Sequence, residues 1–149
     1  MIAVIQRVSN ASVAINQQMH AGIGVGLLIL LGIAENDTLT DAEWICNKIP
    51  PLRIFSDEHD KMNLSLMDVG GEILLISQFT LMANATKGNR PSYITAAKPV
   101  FAMPLYNHCI EKLTKILDNK LKTGVFGADM KVSLLNDGPV TILLNSKEK

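Results

Sequence analysis

Eight consecutive residues, Gly26-Leu-Leu-Ile-Leu-Leu-Gly-Ile33, carry no polar side chain. The run is about half the length needed to cross a bilayer. It is also too continuous for a strand with one wet face, so it reads as a β-strand covered on both sides. The rest of the chain has to supply a layer above it and a layer below it.

Strand signals precede the run. Ile2–Val8 is rich in β-formers, and Ser12–Asn16 alternates Val13 and Ile15 with small or polar residues. Asn16-Gln17-Gln18 is a turn between them and the next segment. Gly22, Gly24 and Gly26 form a GxGxG that leads into a strand rather than opening a helix. The helix N-terminus that would hold a dinucleotide phosphate is therefore missing.

Helix signals follow. Thr40-x-x-Glu43 reads as a capping box, after which Ala42, Ile45, Cys46 and Ile49 recur at helical spacing until Pro50-Pro51. A short strand at Arg53–Phe55, a polar loop at Ser56–Lys61 and a Gly70-Gly71 turn lead to a strand predicted over Glu72–Leu81. Met82–Pro99 is a long, irregular, basic segment, and loops of that length are usually functional or mobile. A second helix shows one broad apolar stripe through Ala102, Leu105, Tyr106, Cys109, Ile110, Leu113, Ile116 and Leu117, with Pro104 suited to its first turn. Strands at Asp129–Leu135 and Val140–Leu144 flank Asn136-Asp-Gly-Pro139, and the polar tail 145–149 is expected to fray. The order of elements predicts one α+β domain over 1–149 with mostly antiparallel pairing. At 149 residues, 48% apolar and 19% charged, the chain can build its own core and is not disordered.

Charge is placed unevenly. Formal net charge is zero, which argues against wrapping a long nucleic-acid tract but permits holding the tip of an RNA. Arg7 is the only full charge before Glu35, and no acid occurs from Ile73 to Ile110. The uncharged N-terminal segment is either core strand alone or core strand partly buried against a second subunit. The N-terminus has no basic n-region or cleavage site, and Cys46 and Cys109 lack CxxC spacing. Together these predict a cytoplasmic protein without signal peptide or membrane segment, whose thiols are reduced.

Little conventional chemistry is visible. His20, His59 and His108 stand at no metal-ligand spacing, so no metal or cofactor is expected. Two places remain. Ser77-Gln78-Phe79-Thr80 is a polar strip where a buried strand emerges. Taken alone it is either a hydroxyl-capped strand end or a set of donors, acceptors and a stacking face. The Asn136–Pro139 corner is either a plain β-turn or a backbone built for a purpose, since Gly138 precedes a proline and X-Pro bonds adopt cis at small cost.

Taken together, Ser77-Gln-Phe-Thr-Leu81 and Asn136-Asp-Gly-Pro-Val-Thr141 resemble the D-aminoacyl-tRNA deacylase (D-tyrosyl-tRNA deacylase) family. IQRVSNASV from Ile5, LRIFSDEHDKMNLSL from Leu52, GNRPSY from Gly88, Leu105-Tyr106 and FGADMKVSL from Phe126 extend the resemblance over the whole chain. It implies two packed, mostly antiparallel sheets with two main helices on one side. It implies a homodimer with active sites at the interface, and hydrolysis of the ester joining a D-amino acid, or glycine, to the terminal ribose of tRNA.

The resemblance also implies roles. Gly138-Pro139 is cis and, with Asn136 beside it, reaches from one subunit into the other's pocket, where a rigid backbone wall close to the substrate Cα excludes an L side chain. Arg7 orients that corner, although a simple strand-edge arginine is the alternative. Ser77, Gln78, Phe79 and Thr80 form the catalytic strip. The amides around Phe79 and Thr80 are candidates for the ester carbonyl, and the tRNA 2′-hydroxyl activates water. Thr80 as a covalent nucleophile is the rival reading, with no visible base beside it. Lys87, Asn89 and Arg90 are expected to contact the RNA end. Departures are small: Tyr93 for a frequent phenylalanine, Cys109 for a common aromatic, and the Asn16–Gln18 tip. Two other functions compete, an editing domain for L-aminoacyl-tRNA and a nucleic-acid-binding protein without hydrolytic activity.

Overall fold

The apolar run forms β3, Gly26–Gly32, at the centre of a computed structural model that describes residues 1–148. Before it come β1, Ile2–Ile15, and β2, Gln18–Ile23. After it come α1, Leu39–Lys48, the short strands β4, Phe55–Ser56, and β5, Met62–Leu64, and then β6, Glu72–Ser77. A 3-10 turn, Phe79–Met82, leads to α2, Pro99–Ile116, β7, Leu121–Thr123, and β8, Met130–Asn145.

The class is α+β, as expected, but the two layers are halves of one sheet. β1 is long enough to serve both. Its residues Ile2–Val8 pair antiparallel with β3, while Ala11–Ile15 pair with β2. β8 runs antiparallel along the other edge of β1 for its whole length, and β6 and β7 extend the sheet beyond β3 in parallel. Among the described residues the only separate sheet is the β4–β5 hairpin.

β3 is covered on both faces. Leu27, Ile29 and Leu31 point into a core with Ala3 and Ile5 of β1, Ile45 and Ile49 of α1 or just past it, and Tyr106 and Leu113 of α2. Leu28 points the other way and meets Val8, Val13, Ile23, Leu74 and Ile76. The uncharged N-terminal segment is thus spent largely on core strands. Gly26 is a glycine for a local reason: a Cβ there would lie 2.0 Å from the Glu72 carbonyl oxygen.

Local signals needed four corrections. The α1 cap is Thr38 with Asp41, two residues before the Thr40–Glu43 pair that shares its pattern; Thr38 N–H donates to Asp41 Oδ2 at 2.9 Å. Glu43 instead joins the helices, meeting His108 at 2.5 Å and Lys112. Pro99 takes the first position of α2, leaving Pro104 inside the helix. The strand predicted to Leu81 stops at Ser77, where the chain tightens into the 3-10 turn.

The fourth correction concerns the tail. Residues 145–148 do not fray; Lys149 lies outside the described residues. Ser146 is fully buried, its N–H donating to the Met1 carbonyl at 2.9 Å and its hydroxyl to Asp41 Oδ1 at 2.8 Å. Lys147 Nζ lies 2.9 Å from Asp41 and 3.2 Å from Asp37. Two buried carboxylates need donors, and the tail supplies them.

Candidate active site

Two structures carry the candidate residues, and they stand apart within one chain. The first is a cleft of about 480 Å³ at the end of β6. Ser77, Gln78 and Phe79 form one side of it. Ala97, just before α2, and Ala102 within it also line the cleft, as do Phe126 of the β7–β8 loop and Met130 at the start of β8. Its size is that of a small-molecule site and its walls are mostly apolar. Asp129 is the one ionisable residue in the lining, and its carboxylate pairs with Lys131 at 2.8 Å.

The strip itself is shaped by the chain leaving the sheet. Gln78 N–H still donates to the Leu31 carbonyl at 2.8 Å, and then the 3-10 turn begins. The N–H groups of Phe79 and Thr80 open that turn, and neither has a hydrogen-bond partner among the described residues. First-turn amides lack intrahelical acceptors, so these two are available to a ligand. The Thr80 hydroxyl accepts from Gln78 Nε2. An amide cannot take up a proton, so this partner cannot serve Thr80 as a general base.

Phe79 is 59% exposed and meets Tyr93 edge-to-face at 5.2 Å between ring centroids. That contact sets the basic segment beside the strip. Asn84 and Ser92 exchange two backbone hydrogen bonds of 2.8 Å and close a loop holding Lys87, Asn89 and Arg90. All three are exposed, and neither Lys87 nor Arg90 forms an ion pair among the described residues.

The second structure is the corner. Opposite Gln6 and Val8 of β1 stand Thr141 and Asn136 of β8, so residues 137–140 face Arg7 alone. The predicted pair of strands is therefore one strand with a four-residue bulge. Arg7 is nine-tenths buried beneath it. Its Nε donates to the Asp137 carbonyl at 3.0 Å and its Nη1 to the Ile54 carbonyl at 2.7 Å. Gly138 has φ of 128°, and a Cβ there would sit 2.8 Å from Arg7 Nη2. The Gly138–Pro139 peptide is cis. Asp137, Gly138 and Pro139 are exposed.

None of Arg7, Asn136, Gly138 or Pro139 lines the cleft. Arg7 is opposite Leu27 on β3, whereas Ser77 is opposite Leu31, with β3 between β1 and β6. Arg7 and Ser77 are thus about 13 Å apart along the strands and about 10 Å apart across them, and the corner on β8 lies one strand further out. Sequence reasoning missed the Phe126–Met130 wall, although Phe126-Gly-Ala-Asp-Met130 is a distinctive stretch. It also missed Ile54, which acts through its carbonyl and so leaves no side-chain signal.

The family described as D-Tyr-tRNA(Tyr) deacylase matches residues 4–145. A curated relative from Cytophaga hutchinsonii, named D-aminoacyl-tRNA deacylase, is 58% identical over 100% of this chain and 99% of its own. One of the same name from Bacteroides thetaiotaomicron is 57% identical over 98% of this chain and 97% of its own. A solved structure described as a c-Myc DNA unwinding element binding protein shares 44% identity with a TM-score of 0.93, covering 97% of this chain and 98% of the other. A probable eukaryotic D-amino acid tRNA deacylase shares the fold, with a TM-score of 0.83 at 13% identity over 96% of this chain and 97% of the other. By its matched family and its near full-length relatives, the chain belongs to the D-aminoacyl-tRNA deacylase family.

Proposed function

We propose that the protein hydrolyses the ester of D-aminoacyl-tRNA, releasing the D-amino acid and tRNA. The observation that carries this reading is the Gly138–Pro139 corner. It is exposed, held from beneath by Arg7, and remote from its own chain's cleft. Those three properties suit a backbone element that completes the cleft of a second copy. In such a homodimer each site takes its polar strip from one subunit and its corner from the other.

Selection is by shape. A backbone wall against the substrate Cα leaves room for hydrogen and none for a side chain. An L-residue points its side chain into that wall, a D-residue points it away, and glycine has none to exclude. Glycyl-tRNA is therefore a substrate as well.

Catalysis needs modest help, because an aminoacyl ester is already activated. The free N–H groups of Phe79 and Thr80 suit the oxyanion that forms on the ester carbonyl. The strip of Ser77, Gln78, Phe79 and Thr80 orients the substrate, and the terminal ribose 2′-hydroxyl assists the attacking water. Thr80 as nucleophile is disfavoured by its amide partner. Lys87, Asn89 and Arg90 position the RNA end without reading its sequence. A protein acting on charged tRNA works in the cytoplasm.

Purified protein should release D-tyrosine from D-Tyr-tRNA. A substrate ending in 2′-deoxyadenosine should react slower by about 10²-fold or more, the usual worth of general acid–base assistance. A second reading, nucleic-acid binding without hydrolysis, draws on the printed name of the 44% identical relative. Tight tRNA binding with no release of D-tyrosine would favour it and end the deacylase reading.

A further inference from the structure

The bulge at residues 137–140 removes four consecutive residues from the β1–β8 ladder. Backbone donors and acceptors displaced in this way need other partners. Arg7 takes the Asp137 carbonyl on the N-terminal stem. On the C-terminal stem the Val140 N–H donates to Asn136 Oδ1 at 3.1 Å. The Asn136 side chain thus spans the base of the corner.

That bond fixes everything beyond it. A backbone N–H can only donate, so the Asn136 amide must turn its oxygen toward Val140 and its NH₂ away. The NH₂ points at Thr141, where Nδ2 lies 3.1 Å from Oγ1. Gln6 Nε2 approaches the same oxygen from β1 at 3.4 Å. The Thr141 hydroxyl therefore accepts from both strands, using the two lone pairs a hydroxyl has.

We propose that Thr141 is a positioning residue for chiral selection: its hydroxyl locks the Asn136 amide, which holds Val140 and with it the spacing of the two stems that carry Gly138 and Pro139. This rests on the reading that the corner excludes L side chains. Arg7 and Thr141 then play complementary parts. One fixes the entry stem from inside the protein, and the other fixes the exit stem from the surface.

The test is the ratio of D-Tyr-tRNA to L-Tyr-tRNA hydrolysis in Thr141→Val and Thr141→Ser. Valine keeps the β-branched shape and presents a methyl group to two N–H donors; serine restores the hydroxyl. Thr141→Val should lower the ratio roughly 3- to 10-fold by raising L-ester hydrolysis, the worth of about one net hydrogen bond. Thr141→Ser should return the ratio to within about 2-fold of the starting protein, well inside the effect of one such bond. Hydrogen exchange of the Val140 amide should quicken in Thr141→Val, with that of Val132 unchanged. An unchanged ratio in Thr141→Val, or a ratio equally reduced in Thr141→Ser, overturns the inference while leaving the chiral reading in place. Failure of the unsubstituted protein to favour the D-ester overturns the reading underneath, and the inference with it.

Discussion

Arg7 Nε donates to the carbonyl oxygen of Asp137 at 3.0 Å, joining residues 130 positions apart in sequence. The same guanidinium reaches the Ile54 carbonyl at 2.7 Å. One planar group thus binds two backbone oxygens from different parts of the fold, which a lysine ammonium cannot reproduce with the same fixed angles. Arg7→Lys should lower the D-to-L selectivity ratio by about 10-fold or more, since hydrogen bonds to charged groups are worth about 1.5–3 kcal/mol. Paired time courses on the two esters check this. Arg7→Ala should do the same and also destabilise the fold, because two carbonyls lose their donor.

Gly138 is the position where a single methyl group does most harm. At φ of 128° an L side chain is strained, and the added Cβ would meet Arg7 Nη2 and Val140 Cγ2 at 2.8 Å each. Gly138→Ala should cost more than about 1 kcal/mol of stability and displace the arginine that holds the corner. Chemical denaturation measures the first effect. Loss of discrimination between esters in the protein that remains folded measures the second.

The tail lock should be sensitive to pH on both sides. Burial raises the Asp41 pKa, but Lys147, the Thr38 N–H and Ser146 together hold it well below the usual carboxylate range. A lowered folded-state value gives stabilisation that is complete above the unfolded value of about 4. It is lost as pH falls through the folded value. Lys147 is raised, first by Asp41, so its stabilisation is complete below about 10.4 and is lost as pH rises through the folded value. Asp41→Asn should destabilise by about 1–3 kcal/mol at neutral pH and flatten the acid limb of a stability–pH curve. Removing residues 146–149 should have a similar effect.

Both thiols should be silent in the native protein. Cys46 and Cys109 are fully buried between α1 and α2, and the neighbouring Cys46 thiol together with burial pushes the Cys109 pKa far up. A thiol reagent at neutral pH should find no reactive cysteine in the folded protein and two after denaturation, because both sulfurs are shielded from solvent until the helices separate.

Much of this arrangement was legible from residue patterns, and the exceptions share causes. The strands β1 and β3 and the stripe of α2 follow periods that burial imposes, so Leu27, Ile29 and Tyr106 fall in the core as expected. Motif resemblance led to Ser77–Thr80 and to Gly138–Pro139. The α1 cap is ambiguous in the sequence because Thr38–Asp41 and Thr40–Glu43 present one pattern twice, and packing of Asp41 against Ser146 and Lys147 decides between them. The tail reads as solvated because nothing in its own residues shows the buried carboxylates that Ser146 and Lys147 meet. Ile54 works through its backbone, which no side-chain identity reveals. The distance between corner and cleft depends on strand register, and register is settled by the sheet as a whole.

The most direct measurement is a deacylation time course with the purified protein on D-Tyr-tRNA and L-Tyr-tRNA side by side. The account predicts rapid loss of the D-ester while the L-ester decays no faster than in buffer. Hydrolysis of both esters at similar rates, or of neither, would contradict it.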